Sequence, residues 1–302
     1  SLKKAARQTV GPELEKRIQI IINTKLLEIK DDFKIYWNEF PIAKLLAGKD
    51  YLNPDLFLIV DDMLENNHKQ KLSEFIDRWI KEKINLVLKS LIDLKNLKDS
   101  NSSIKALAYQ LYENNGVVKR NQVSDYLKKL GQGERKILRD LGVKFGRYHV
   151  FLFRLIKPEA VSLRTLLWKN YYQKNLNFKP PTFGLNFLDD KKIKDKNFML
   201  LCGFEKFDNF FVRIDILERL FVQIINSNSE NKEIKMIPEM LNLLGCSKDN
   251  FKRLLKIMNY KIIEKNEDLF FKYVPNKKSK KVFNKKITKE NPFGILKNLN
   301  LN

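Results

Sequence analysis

Apolar residues at Leu72, Phe75, Ile76, Trp79, Ile80, Ile84, Val87, Leu88, Leu91 and Ile92 recur every three or four positions. That spacing puts them on one face of a helix, so the pattern predicts one long amphipathic helix, closed by the polar cluster Lys98-Asp99-Ser100-Asn101-Ser102-Ser103. Leu14, Ile18, Ile21 and Ile22 keep the same spacing after Pro12, a residue suited to a first helical turn, and predict an opening helix. Between the two, Phe33 to Trp37 and Ile42 to Leu46 alternate or run apolar around Asn38-Glu39-Phe40-Pro41. They read as a hairpin, with Leu56 to Val60 as a third strand.

Further along, helices are predicted from about 103 to 114 and from about 121 to 130, with Ser103 and Asn121 as N-caps. Gly131-Gln132-Gly133 breaks the pattern before a short helix over 134–140. Val143 to Phe145 and His149 to Leu152 read as extended, and Pro158 starts a helix running through Trp168. From Phe198 to Val274 the pattern is more specific. Asp215 with Glu218 three residues on looks like a capping box, followed by an inward face of Ile216, Leu217, Leu220, Phe221 and Ile224. A second helix runs from Pro238 to Gly245. Ser247 caps a third, which turns Phe251, Leu254, Leu255 and Met258 inward and Lys248, Lys252, Arg253 and Lys256 outward. Tyr260 to Ile263 and Leu269 to Tyr273 form a hairpin around Asn266-Glu267-Asp268. Three helices followed by a hairpin is the order of a winged helix, whose third helix commonly enters a groove. The expected fold is therefore mainly α with small β-hairpins, α+β in class: helical domains over 1–100 and 101–178, a winged-helix-like domain over 179–275, and a tail over 276–302.

Composition then narrows the partners. The 302 residues carry 58 Lys and Arg against 36 Asp and Glu, a formal net charge of +22, which points to a polyanionic partner such as nucleic acid or an anionic membrane surface. Lys far outnumbers Arg, and Lys, Asn and Ile are all enriched, so an AT-rich gene accounts for part of the excess. Cys202 and Cys246 are the only cysteines, too few for a disulfide framework or a Cys-rich zinc site. A reducing, cytoplasmic setting fits. No apolar run approaches the ~20 residues of a membrane span, and Ser1-Leu2-Lys3-Lys4 does not begin a signal peptide. The first residue is not Met, which reads as a piece of a longer polypeptide.

Chemistry is sparse. A nucleotide-phosphate loop needs GxxxxGK[ST], and Gly48-Lys49-Asp50 lacks both the upstream glycine and the hydroxyl. The acidic pairs Asp31-Asp32, Asp61-Asp62 and Asp189-Asp190 read as turns or caps. His68 and His149 have no Cys or His neighbour at metal-ligand spacing. His68 reads as a solvated loop residue, and His149 as a structural or base-stacking residue.

The strongest binding signal is the basic and aromatic tract from Gly133 to Tyr172. Single strands are held by cations along the phosphates and aromatic faces against the bases. Arg135, Arg139, Lys144, Arg147, Arg154, Lys157 and Arg164 suit the first task, and Tyr148 or His149 the second. Phe145, Phe151, Phe153 and Trp168 read more readily as core than as stacking faces. Lys248, Lys252, Arg253 and Lys256 read either as phosphate contacts or as a solvated face. The tail over 276–290 is a Lys-rich arm, and its tip, Phe293, Ile295 and Leu296, reads as a partner-docking stripe too short to fold alone.

Four tracts also carry a resemblance. Leu141-Gly142-Val143-Lys144-Phe145-Gly146 with His149-Val150-Phe151-Leu152, Ile156-Lys157-Pro158 and Trp168 resembles the region downstream of the motor in a bacterial family of superfamily-two ATP-dependent helicases related to the mitochondrial degradosome RNA helicase. Gly11 to Ile18 resembles the helix after the second motor domain. Trp37-Asn38, Pro41 to Leu45 and Ala47-Gly48 resemble a strand-turn-strand there, and Asn291 to Leu296 the closing apolar peptide. Phe153 stands where the family usually has Pro, and Lys44 where it more often has Arg. The resemblance implies a nucleic-acid-binding accessory region that contacts the translocated strand, RNA or DNA. This chain itself would hold no cofactor. ATP and Mg2+ would belong to a motor outside it, and a nuclease is a further possible partner. A stand-alone winged-helix regulator and a scaffold for that nuclease are the alternatives.

Overall fold

The computed structural model describes residues 2–24, 26–60, 64–97, 101–173, 178–189, 195–227, 233–265 and 268–275. It is α+β, and its sheets are small and antiparallel. Helix α1 spans Leu2–Thr24 with Pro12 in its interior, so it starts upstream of the predicted point. Strands β1 (Leu27–Ile29), β2 (Lys34–Trp37), β3 (Phe40–Asp50) and β4 (Asn53–Leu58) form a meander in that order; the pattern did not predict β1. Asp32 closes the first turn, accepting from Lys34 N at 3.1 Å and the Tyr36 hydroxyl at 2.8 Å.

The predicted long helix is two. Helices α2 (Asn66–Val87) and α3 (Lys89–Lys95) meet at Leu88, whose φ of −103° and ψ of 21° leave the helical region. The break turns α3 onto the next helix while Leu72, Ile76, Ile80, Ile84, Leu88 and Leu91 all stay buried. His68 lies in the first turn of α2, not in a loop, with Nε2 3.0 Å from Glu15 Oε1 of α1.

Helix α4 (Ser102–Glu113) is capped by Asn101, which accepts from Ile104 N at 3.0 Å, and not by Ser103. The tight turn at Asn115 and Gly116, both at positive φ, leads into strand β5 (Val117–Lys119), also unpredicted. Helix α5 is only Ser124–Lys129; Asn121 lies in the turn before it and is not its cap. Helix α6 (Gln132–Asp140), strands β6 (Val143–Phe145) and β7 (His149–Leu152), a 3-10 turn over Phe153–Ile156 and helix α7 (Pro158–Tyr171) follow. Strand β7 lies between β5 and β6, and all four of its residues are buried. One hydrophobic core runs from Ile18 to Leu167, so the division expected at 100 does not separate two cores.

The remaining elements are β8 (Phe187–Leu188), α8 (Lys196–Leu201), β9 (Phe204–Phe207), β10 (Phe210–Arg213), α9 (Ile214–Asn226), β11 (Ile234–Lys235), α10 (Pro238–Leu244), α11 (Lys248–Ile257), β12 (Tyr260–Lys265) and β13 (Asp268–Tyr273). They give two three-stranded sheets, β8-β10-β9 and β11-β13-β12. Gly245 ends α10 in the left-handed region at φ 67°, and Ser247 caps α11. A second core gathers Phe210, Phe221, Phe251 and Phe271, each no more than 1% exposed. Each such side chain contributes roughly 1.5–3 kcal/mol. Among the described residues no helix is long and apolar enough to cross a membrane.

Candidate nucleic-acid interface

The hairpin of β6 and β7 is one of the places where residues 101–173 meet residues 195–275. Its turn, residues 146–148, carries Arg147 and Tyr148 of the basic-aromatic tract, and Glu218 of α9 reaches into it. Glu218 Oε1 accepts from the backbone N–H of Tyr148 at 2.9 Å and of His149 at 2.8 Å, and Oε2 accepts from Arg147 N. The expected capping box is therefore absent: Arg213 is the N-cap of α9, and Glu218 serves the hairpin of the other half. The carboxylate comes so close that a Cβ at position 146 would overlap it, which explains Gly146.

His149 is 2% exposed and sits between two carboxylates, Nδ1 3.0 Å from Glu218 and Nε2 3.2 Å from Glu205 of β9. Burial alone would lower its pKa, but hydrogen bonds and charge from Glu205 and Glu218 outweigh it and raise the pKa above the ordinary histidine value. Burial would likewise raise Glu205, yet bonds from His149 and from Lys119 at 2.8 Å hold its carboxyl below the usual range. This site cannot stack on a base. His149 is a structural ion-pair residue.

Arg164 also leaves the predicted surface. It is fully buried in α7 and donates to the carbonyls of Asn115 at 2.6 Å, Leu155 at 3.0 Å and Leu201 at 2.6 Å, pinning a turn, the 3-10 segment and α8 together. No solvent phosphate reaches it. Arg135 is half-buried and donates to Leu127 O and Leu130 O, closing the end of α5. Arg135 and Arg139 both lie over the Phe145 ring, at 5.8 and 5.6 Å, and Lys157 lies over Phe153 at 4.7 Å. Arg154 is exposed on the 3-10 turn.

The remaining tract residues come together. A groove of about 650 Å³ opens between the hairpin and α9, with Phe145, Phe153, Val222 and Ile225 as apolar lining and Lys144, Arg147 and Arg219 as cations. A second concavity of about 450 Å³ adjoins it, lined by Lys119, Tyr148, Phe207 and Tyr273 among others. Arg120 and Arg147 line both. Arg120 is held in place by donating to Gly146 O at 2.8 Å, and the Tyr148 ring by Phe221 at 4.4 Å edge-on. The carboxylates lining these concavities are already engaged: Asp215 takes two bonds from Arg213, Glu218 holds the hairpin, and Glu205 holds His149 and Lys119. Their charge is spent locally, and the cleft keeps a positive excess.

Lys119, Arg120, Arg219 and Tyr273 were not predicted. Lys119-Arg120 is a visible basic pair, but nothing in its spacing says that β5 lies beside β7. On α11, Lys252 pairs with Glu264 at 2.6 Å, and Arg253 pairs with Asp208 at 3.3 Å and lies over Phe210. Lys248 and Lys256 are exposed. Phe293, Ile295, Leu296 and the Lys-rich arm lie outside the described residues, as do Asp61, Asp62 and Asp190. Among the described residues no group of three His, Cys, Asp or Glu side chains is arranged to hold a metal ion. The chain matches no protein-family model, no curated protein and no solved structure.

Proposed function

We propose that this chain is a single-stranded nucleic-acid-binding module, with RNA as its first candidate ligand, acting as the post-motor accessory region of an ATP-dependent helicase. The observation that carries the binding is the cleft. Arg120, Lys144, Arg147 and Arg219 face two linked concavities whose carboxylates are consumed by internal bonds, so a polyanion meets uncompensated charge. The helicase context is supported by the four resembling tracts in family order. ATP and Mg2+ would act on a motor elsewhere in the polypeptide, and the cleft would hold the strand against it.

Fluorescence anisotropy with a labelled single-stranded RNA tests the binding. Log affinity should fall linearly with log salt, with a slope of about −0.7 for each phosphate contact. Arg147→Glu with Arg219→Glu should weaken binding across sequences and flatten that slope. A folded double variant with unchanged affinity and slope would remove the cleft from the proposal.

A second reading has its own observation. Elements α9, β11, α10, α11, β12 and β13, with the sheet order β11-β13-β12, follow the sequence of a winged helix, in which α11 would enter a duplex groove. Two of its four cations are committed to Glu264 and Asp208, so the cleft ranks first.

A further inference from the structure

We infer that the two concavities are consecutive subsites for unpaired nucleobases, with Arg120 and Arg147 on the phosphate between them. This rests on the binding reading above and adds to it what the cleft recognises.

A surface that held phosphates alone would need only cations over a polar floor. The first groove is instead floored by Phe145, Phe153, Val222 and Ile225. Val222 and Ile225 are 56% and 58% exposed although they stand on a helix whose opposite face, Leu217, Leu220, Phe221 and Ile224, is fully in the core. They are aliphatic positions turned to the cleft, with cations at its rim. A ligand that suits them must be apolar and anionic at once.

The second concavity repeats the arrangement with Tyr148, Phe207, Met258 and Tyr273 as its aromatic and apolar surface. The two share Arg120 and Arg147. A ligand with one charge and one apolar body would fill one of them. A polymer in which flat apolar groups alternate with charges fills both, and places a charge at the shared arginines. A single-stranded nucleic acid is such a polymer. In a duplex its bases are turned inward and unavailable to a side-wall groove, so the arrangement selects unpaired strand.

The hairpin turn between the subsites is well fixed. Three consecutive backbone N–H groups, from Arg147 to His149, are bound by Glu218, and Arg120 is bound to Gly146 O. Arg147 is therefore presented from an anchored backbone, and little backbone freedom is lost when it takes a phosphate.

The test uses the full chain and three probes: a labelled oligouridylate of about ten nucleotides, within the span one such site covers, the same backbone with its central bases removed, and the same oligonucleotide in a duplex. The wild-type chain should bind the base-bearing strand about a hundredfold more tightly than the abasic one, the order that one stacked base in each of two subsites is worth, and more tightly than the duplex. Val222→Ser with Ile225→Ser, at positions exposed enough to leave the core intact, should lower affinity for the base-bearing strand, leave the abasic strand unchanged and keep the salt slope. Arg147→Glu should weaken both strands and flatten the slope. Equal wild-type affinity for base-bearing and abasic strands, or for strand and duplex, would overturn the subsites while leaving strand binding in place. No binding of either strand by a folded chain would overturn the binding reading, and the subsites with it.

Discussion

Glu218 Oε1 lies 3.0 Å from His149 Nδ1 across 69 positions of sequence, and the same oxygen accepts the His149 backbone N–H at 2.8 Å. One carboxylate thus fixes both the ring and the backbone of His149, two positions after Arg147 of the cleft. The consequence is that the cleft is built on one of the contacts that join residues 101–173 to residues 195–275.

Glu218→Ala should be among the most damaging single changes outside the cores. It strands the N–H groups of Arg147, Tyr148 and His149 and leaves an unbalanced buried ion group, and breaking a buried pair of this kind costs about 3–5 kcal/mol. Glu218→Gln keeps an acceptor and should lose less. Urea unfolding checks the order; equal losses for the two variants would show that charge, and not acceptance, holds the turn.

Stability should depend on pH on both sides of a plateau. The raised pKa of His149 means that its contribution is complete below the unfolded value of 6.5 and is lost as pH climbs through the higher folded value. Glu205, with its lowered pKa, contributes fully above the unfolded value of 4.5 and loses its contribution as pH falls through the lower folded value. His149→Gln should abolish the alkaline loss. Denaturant midpoints measured across this range, with the wild-type and variant alkaline limbs parallel, would refute the assignment.

Arg164→Ala should destabilise by about 3 kcal/mol or more, because two buried carbonyls and a part-buried one lose donors at once. Arg164→Lys should rescue little, since one ammonium lacks the planar fork that spans the carbonyls of Asn115, Leu155 and Leu201. RNA affinity of the folded fraction should not change. A selective loss of binding with stability intact would return Arg164 to the surface role that its place in the basic tract suggests.

Lys248→Glu with Lys256→Glu separates the cleft from α11. The cleft reading expects a smaller loss of single-strand affinity than Arg147→Glu with Arg219→Glu causes. A larger loss, above all with duplex DNA as the probe, would favour the winged-helix reading.

Much of the fold was legible because local spacing decides local structure. The apolar stripe of α2, the Pro158 start of α7, the Ser247 cap of α11 and the Gly245 stop each follow from residues within one or two turns. Short strands were harder to read. Strands β1, β5 and β8 are two or three residues long, too short to show alternation, and exist because a neighbouring strand supplies their hydrogen bonds.

The sequence by itself determined that the chain is strongly basic, builds helices with small hairpins, and concentrates cations and aromatics between Gly133 and Tyr172. Only the tertiary structure decided which of those residues face a ligand. Arg164 and His149 read like their basic and aromatic neighbours, but an inward-facing position on α7 buries one, and the central strand β7 buries the other between Glu205 and Glu218. Glu218 read as a helix cap and instead anchors a turn in the other half. Arg120 and Arg219 gain their place only because β5 pairs with β7 and α9 packs beside the hairpin. The physical reason is one of range: helical periodicity and caps are settled among residues a few positions apart, whereas desolvating a charge and pairing it depend on what the rest of the chain brings alongside.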